Sequence, residues 1–368
     1  MALPVSTTRP TPPAHARSMA ASDAEMARRL RQSRVLLVGV GGLGSPAALS
    51  LAASGVGSLV LVDFDRVDES NLQRQVLFDT ADLGRSKVDA GRAQLLRMAP
   101  GIDVDVIDEP FSVANAARLV ADADLVVDGA DNFSTRYLVN DACVMGRRAN
   151  VFGSVSRFDG QVAVFAAPGG PCYRCLHPEP PPDGLILGCA EGGVLGVLPG
   201  VVGSLQAVEA VKLIAGVGQP LIGRLLIYDA LRMRLRDIVL PRDPECPVCG
   251  DDPAIRTLQV SGTMCEAPES GATIEPEELA EWRRTGRPHV LVDVREPSEH
   301  AVSSIADSEL VPLADVGAAR HRWSATRPVV VYCRTGARSA RAARLLRDAG
   351  LDARSLTGGI EAWGRRAS

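Results

Sequence analysis

The sequence predicts an α/β protein in two parts: a parallel sheet with helices on both faces that continues into antiparallel strands, then a smaller α/β unit. Three observations carry this. The stretch from Arg34 to Asp65 reads as a buried strand, a glycine-rich turn, a helix and a second buried strand ending in acid. Short apolar strands then alternate with helical segments as far as Asp131, the pattern that builds a parallel sheet. Finally, composition shifts over 251–272 (DDPAIRTLQVSGTMCEAPESGA), and a second strand–helix series begins, as a length of 368 residues allows.

In order, residues 1–22 are rich in Pro, Ala and Thr without an apolar core, so they read as a disordered tail and a poor signal peptide. The first domain, 23–250, opens with a helix at 23–33, a strand at Val35–Val38, the glycine turn with its helix, and a strand at Leu59–Val62. After the polar loop DRVDESNLQRQ comes a helix at Lys87–Met98, with Ser86 as its N-cap. A strand at Val104–Ile107, a helix at Val113–Ala121 and a strand at 125–131 complete the alternation. Residues 151–167 read as a hairpin around a central Asp-Gly. The proline-rich loop 177–184 precedes a long apolar helix at about Val197–Ile214, and 224–240 alternates like antiparallel strands. Past the linker 251–272, the domain 273–368 shows a helix at 276–285, strands at 289–294 and 328–332, a helix at 339–349 and a closing GGIEAW.

Composition excludes some functions. A net charge of −4 argues against a general nucleic-acid binder, and no uncharged apolar run has the roughly 18 residues of a membrane span. Eight cysteines, four of them in CxxC pairs, suggest metal or redox chemistry in a reducing cytoplasm. Basic residues are nearly all Arg; only Lys87 and Lys212 are Lys.

Gly39, Gly41 and Gly44 have the G-x-G-x-x-G spacing, with Gly42 added, so the backbone can approach a phosphate seated on a helix N-terminus. Asp63 falls where a carboxylate meets a ribose hydroxyl. A dinucleotide oxidoreductase is the commonest owner of such a turn. Asn71, Arg74 and Gln75 (SNLQRQ) and Lys87 (GRSK) instead suit the heavier charge of a triphosphate, or else form a solvated charged loop. Asp131, at the tip of a strand beside the same crevice, is either a Mg²⁺ ligand next to that triphosphate or part of a helix N-cap.

Cys172-x-x-Cys175 and Cys246-x-x-Cys249, in knuckle-like contexts, read as a Cys₄ zinc site clipping the end of the domain onto its middle, with thioredoxin-like redox as the rival. Cys189, between a proline-rich loop and glycines, is a buried small residue or a reactive thiol. In VVVYCRTGARS a strand delivers Cys333 into a six-residue loop (Cys333, Arg334, Thr335, Gly336, Ala337, Arg338), and Ser339 opens a helix. Converging N–H groups and the two arginines would stabilise a thiolate or persulfide. Phosphatase loops hold one more residue between Cys and Arg, which favours sulfur transfer.

Together, GVGGLG, Asp63, SNLQRQ, GRSK, DNFSTRYLVND, PCYRC, GCAEGGVLGVLPG, GSLQAVEAVK and ECPVCG resemble the E1-like (ubiquitin-activating-like) MoeB/ThiF adenylyltransferases. LVDVREPSEH, CRTGARS and LTGGIEAW resemble a rhodanese domain. The resemblance, to fusions of the MoeZ and MOCS3 type, covers almost everything after residue 33. It implies a Rossmann-like E1 domain with a mixed sheet, and ATP-dependent adenylation of the C-terminal Gly-Gly carboxylate of a small ubiquitin-like sulfur carrier. Sulfur transfer from a persulfide on Cys333 to give a thiocarboxylate would follow. Asp131 would be the Mg²⁺-binding acid, Asp63 would hold the ribose, and Asn71, Arg74, Gln75 and Lys87 the phosphates. Asn132 would line the pocket, the four CxxC cysteines would bind zinc, and Cys189 would sit near the adenylate. A cysteine desulfurase or a thiosulfate-type donor would load Cys333 in a homodimer. Two departures stand out: the segment AHARSMAASDAEM lacks the Arg-Tyr that relatives carry ahead of the first strand, and SSIADSELVPL replaces the usual Ile-Pro-Gly-Ala turn.

Overall fold

The computed structural model describes residues 23–180, 193–259, 272–324, 326–334 and 336–366. The expected tail 1–22, Cys189, Thr335 and most of the linker lie outside them. The chain divides into two compact units between Met264 and Cys265.

In the first unit, α1 (Asp23–Gln32) leads into β1 (Arg34–Val38), and α2 (Gly44–Ala53) carries the chain to β2 (Ser58–Val62). Then come α3 (Lys87–Met98), β3 (Asp103–Ile107), α4 (Val113–Ala121), β4 (Leu125–Asp128) and α5 (Phe133–Gly146). After β5 (Ala149–Ser156) and β6 (Asp159–Phe165) follow the one-turn α6 (Tyr173–Leu176), α7 (Leu198–Ala215), β7 (Arg224–Asp229) and β8 (Arg234–Val239). The eight strands lie in the order β3-β2-β1-β4-β5-β6-β7-β8. The first five are parallel and the last three antiparallel, a mixed sheet. The runs Val35–Val38 and Leu59–Val62 are buried because helices cover both faces, as central parallel strands require. α7 is long and apolar enough to cross a membrane, but half of it is buried against α2, β5 and β6. It is a core helix here.

Three boundaries differ from the sequence reading. β5 and β6 pair through Ser156 and Asp159, so Arg157 and Phe158 make the turn, with Arg157 at φ 47°. Gly160 of the Asp-Gly lies inside β6, where a Cβ would collide with Val202 of α7. Packing decided the register there, not turn chemistry. Ser86 precedes α3 but makes no capping bond, its backbone being bridged to Arg66 instead. β4 stops at Asp128, so Asp131 sits in the loop beyond the strand.

The second unit comprises β9 (Thr273–Ile274), α8 (Pro276–Thr285), β10 (Val290–Asp293), α9 (Pro297–Val302), β11 (Glu309–Leu310) and α10 (Val316–Ala319). It ends with β12 (Val329–Tyr332), α11 (Ala337–Asp348), β13 (Ala353–Leu356) and α12 (Gly359–Arg365). Its five strands are all parallel, in the order β11-β10-β12-β13-β9. β12 is central and wholly buried, and it ends at Tyr332, immediately before Cys333. α11 starts at Ala337 behind Gly336, two residues before Ser339. The divergent turn is held by Tyr332, whose hydroxyl accepts from Ile305 N (3.1 Å) and bonds Ser308 Oγ (2.8 Å).

Candidate functional site

Strand order reverses beside β1: the chain runs out to β2 and β3, then crosses back to β4. In open α/β sheets a ligand crevice forms at such a point, beyond the carboxyl ends of the strands. A pocket lies there, lined by Gly39, Gly41, Gly42, Asp63, Arg74, Gln75, Lys87, Asp131 and Asn132.

The turn is held by contacts only glycine permits. Gly39 has φ 86°, and a Cβ on it would stand 2.8 Å from Gly129 O. Gly44 does not line the pocket; a Cβ there would collide with Gly39 O, so its role is to let α2 close on the turn. Gly41 does face the pocket, with only Gln75 Nε2 within reach of a Cβ, at 3.7 Å.

Asp63 orders the turn from β2. Its Oδ2 accepts from Val40 N (2.8 Å) and its Oδ1 from Asp65 N (2.9 Å). Burial pushes its pKa up, against the pull of Lys87. Lys87, buried at the start of α3, places Nζ 2.7 Å from Asp65 Oδ2. Arg74 anchors one nitrogen on Ser70 O (3.0 Å), leaving the rest of its fork for the pocket. Gln75 is buried; Nε2 donates to Asn71 Oδ1 (3.1 Å), while Oε1 meets no partner. Asn71 itself is not among the lining residues and props Gln75 from behind. Lys212, the other lysine, lies outside the pocket, paired with Glu209 (2.5 Å).

Asp131 is exposed at the pocket rim. Both polar groups of the residue before it are taken: Ala130 N donates to Asp128 Oδ1 (2.9 Å), and Arg136 Nη2 donates to Ala130 O (2.8 Å). Asp128 is fully buried, and that burial lifts its pKa to about 6. The helix cap falls to Asn132, whose Oδ1 accepts from Thr135 N (2.9 Å). Asp131 is thereby left free of capping duty. Sequence reasoning missed Arg136, which lines the pocket, lies over the Phe152 ring (4.9 Å) and follows Asn132 by one helical turn. That spacing was a usable signal. It also missed Phe64 and Phe111, which bring apolar surface to a charged pocket.

The four CxxC cysteines converge, their sulfurs all within 4.8 Å of one another. The close pairs join different motifs, Cys172 with Cys246 (3.5 Å) and Cys175 with Cys249 (3.4 Å). All four sulfurs share one site, as a common metal ion requires, rather than forming two separate dithiol pairs. Four thiolates at about 2.3 Å from a tetrahedral zinc stand about 3.8 Å apart, so the donor set fits that metal. A buried ion pair holds the first motif: Arg174 donates to Asp141 through Nε (2.8 Å) and Nη2 (2.7 Å), and Tyr173 N donates to Asn140 Oδ1 (2.6 Å).

In the second unit the buried Cys333 Sγ accepts from Gly336 N (3.1 Å) and faces Ser339 Oγ (3.6 Å). Of the expected convergence of N–H groups, the described residues show one, from Gly336, joined by the Ser339 hydroxyl. The two arginines, however, are engaged with carboxylates: Arg334 with Glu361 (2.6 Å), and Arg338 with both oxygens of Glu299 (2.7 and 2.8 Å).

Residues 15–248 match the ThiF family, and 275–366 match the rhodanese-like domain. The chain is 45% identical to the probable adenylyltransferase/sulfurtransferase MoeZ of Mycobacterium tuberculosis over 349 residues, covering 92% of this chain and 88% of that one. It is 49% identical over 242 residues to the sulfur carrier protein adenylyltransferase of Thermus thermophilus, covering 64% and 89%. To the adenylyltransferase and sulfurtransferase MOCS3 of Drosophila ananassae it is 38% identical over 355 residues, covering 91% and 79%. In fold it resembles a crystal structure of E. coli MccB with ATP, at TM-score 0.55 and 24% identity, over 62% of this chain and 70% of that one.

Proposed function

This chain belongs to the ThiF family and carries a rhodanese-like domain behind it, and from that premise we propose an adenylyltransferase and sulfurtransferase that converts a carrier protein's C-terminal carboxylate into a thiocarboxylate. One observation carries the first half: Asp63, Arg74, Lys87 and Asp131 line a single crevice at the sheet's reversal point. A pocket for one pyrophosphate does not need two cations and a free acid besides its glycine turn. A triphosphate does.

The carrier's Gly-Gly carboxylate attacks the α-phosphorus of ATP, giving an acyl-adenylate and pyrophosphate. Asp63 holds the ribose. Arg74 and Lys87 take the phosphate charge that grows on the leaving group. Asp131 would hold Mg²⁺, which when bound shields the phosphates; the buried, partnerless Gln75 Oε1 is a further polar atom awaiting a ligand in the same pocket. In the second half a persulfide on Cys333 attacks the acyl carbon and AMP departs. A thiol, either external or that of Cys189, then cleaves the acyl disulfide to release the thiocarboxylate.

The four-cysteine cluster is proposed to hold Zn²⁺ as a structural clip. Exposed apolar residues on α7, Val201 and Val208 among them, support a homodimer. The six described cysteines are unpaired as disulfides, which supports a reducing, cytoplasmic setting. As sulfur source, a cysteine desulfurase or thiosulfate is proposed. The test is mass spectrometry of a small Gly-Gly-ending carrier incubated with the protein, ATP and a sulfur donor. Exchange of one carboxylate oxygen for sulfur, with pyrophosphate released, is expected; neither event would leave the proposal without support.

A further inference from the structure

The loop that presents Cys333 carries two arginines, and by sequence it should attract anions. Its surroundings cancel that charge. Arg338, with its side chain 11% exposed, is gripped through both terminal nitrogens by Glu299, which α9 holds over the loop. Glu299 also accepts from Glu296 N (3.1 Å), so its position is fixed from its own helix. The Arg338 guanidinium keeps the Glu299 carboxyl below its usual range, and the pair is ionised at neutral pH. Arg334 is matched in the same way by Glu361 from α12 (2.6 Å), in a more exposed and weaker pair. Among the described residues, the donors aimed at the sulfur are neutral: Gly336 N at 3.1 Å and the Ser339 hydroxyl at 3.6 Å.

Neutral donors of this kind suit the single charge of a persulfide's terminal sulfur. They are a poor match for a dianion, whose sulfonate needs uncommitted cations. We propose that Glu299 is a specificity-determining residue of the sulfur loop: by occupying Arg338 it selects sulfane donors of low charge, organic persulfides, over dianionic thiosulfate. This rests on the sulfurtransferase reading above and says which donor class that site takes. In the transfer itself the Cys333 thiolate attacks the outer sulfur of R–S–SH. A new S–S bond forms to Cys333, the donor's own S–S bond breaks, and R–S⁻ leaves with the electron pair. No external oxidant or reductant enters.

The test compares loading of Cys333 in the full-length protein by thiosulfate and by the persulfide of N-acetylcysteine methyl ester, with cyanide as acceptor. Glu299→Gln keeps the acceptor for Glu296 N but removes the charge. It should shift the ratio of kcat/KM values at least fivefold toward thiosulfate. Glu281→Gln, which breaks an exposed pair with Arg284 on α8, should leave the ratio unchanged. A Glu299→Gln ratio within twofold of the parent's overturns the inference. The parent supplies a second measurement that needs no variant: its kcat/KM for thiosulfate should vary by less than twofold between 20 and 200 mM salt, a change that shortens the Debye length from about 20 Å to about 7 Å. A steep fall with salt would show an uncancelled positive loop and overturn the inference too. Failure of both donors to place sulfur on Cys333 would instead remove the sulfurtransferase reading itself.

Discussion

Lys87 Nζ lies 2.7 Å from Asp65 Oδ2, yet only the lysine is buried: its side chain is 5% exposed, against 53% for Asp65. The pair is therefore lopsided. Lys87→Met leaves a solvated carboxylate and should cost about 1 kcal/mol of stability or less. Asp65→Asn leaves the buried ammonium only the more distant charge of Asp63 and should cost more, on the order of 2 kcal/mol. Activity should run the other way, with Lys87→Met lowering carrier-dependent pyrophosphate exchange at least 100-fold. Denaturant melts paired with exchange assays check both orders.

The two units should separate genetically. Asp131 is exposed, so Asp131→Asn should leave the melting curve unchanged while abolishing adenylation. Cys333→Ala should spare adenylation and remove sulfur transfer. Loss of pyrophosphate exchange in Cys333→Ala would contradict this division of labour.

Two glycines of one turn should fail differently. Gly44→Ala drives a Cβ into Gly39 O and should prevent the first unit from folding stably, seen as loss of its cooperative melt. Gly41→Ala meets only Gln75 Nε2 at 3.7 Å, so the fold should survive, with the KM for ATP raised about tenfold or more because a methyl group stands where the backbone must approach phosphate.

Asp128 sets a pH dependence. Its pKa rises from 3.8 to about 6 on burial, so the native state binds a proton that the unfolded chain has already lost. Stability should fall as pH climbs from about 4 to 6, by a few kcal/mol at most, and level off above. Asp128→Asn should flatten that slope. Urea titrations at half-unit pH steps measure it.

The cysteine cluster joins residues 74 apart in sequence, Cys172 and Cys246. Closing such a loop is worth about 4 kcal/mol in the unfolded state. Stripping the metal with a strong chelator should lower the melting temperature of the first unit by roughly 10 °C and leave the second unit's transition in place.

Legibility in the sequence followed physical cause. Elements set by burial period were readable: Val35–Val38, Leu59–Val62 and the helix at Val113–Ala121 emerge where apolar spacing puts them. The four cysteines were readable because thiolates at that spacing have few other uses. What failed was anything settled by a distant partner. The Asp-Gly at 159–160 looks like a turn until Val202 of α7 claims the space above Gly160. Short β9, β11 and β13 owe their strand character to neighbours rather than to their own pattern. Arg334 and Arg338 read as cations aimed at sulfur because nothing local announces Glu361 or Glu299. Asn71 reads as a ligand although its amide oxygen is spent on Gln75.

α5 has Asp131 and Asn132 at its head, and further along it bears Asn140 and Asp141, which grip the residues after Cys172. The knuckle so held is complete only when Cys246 and Cys249 arrive. On a ribosome this imposes a schedule. The glycine turn and the strands beside it are made by residue 128, whereas Val155 of β5, Pro199 of α7 and the last two cysteines complete the crevice and the knuckle later. A chain stopped short of residue 199 would therefore carry the nucleotide turn without the full wall of its crevice, and one stopped short of 249 would carry half of its cysteine cluster.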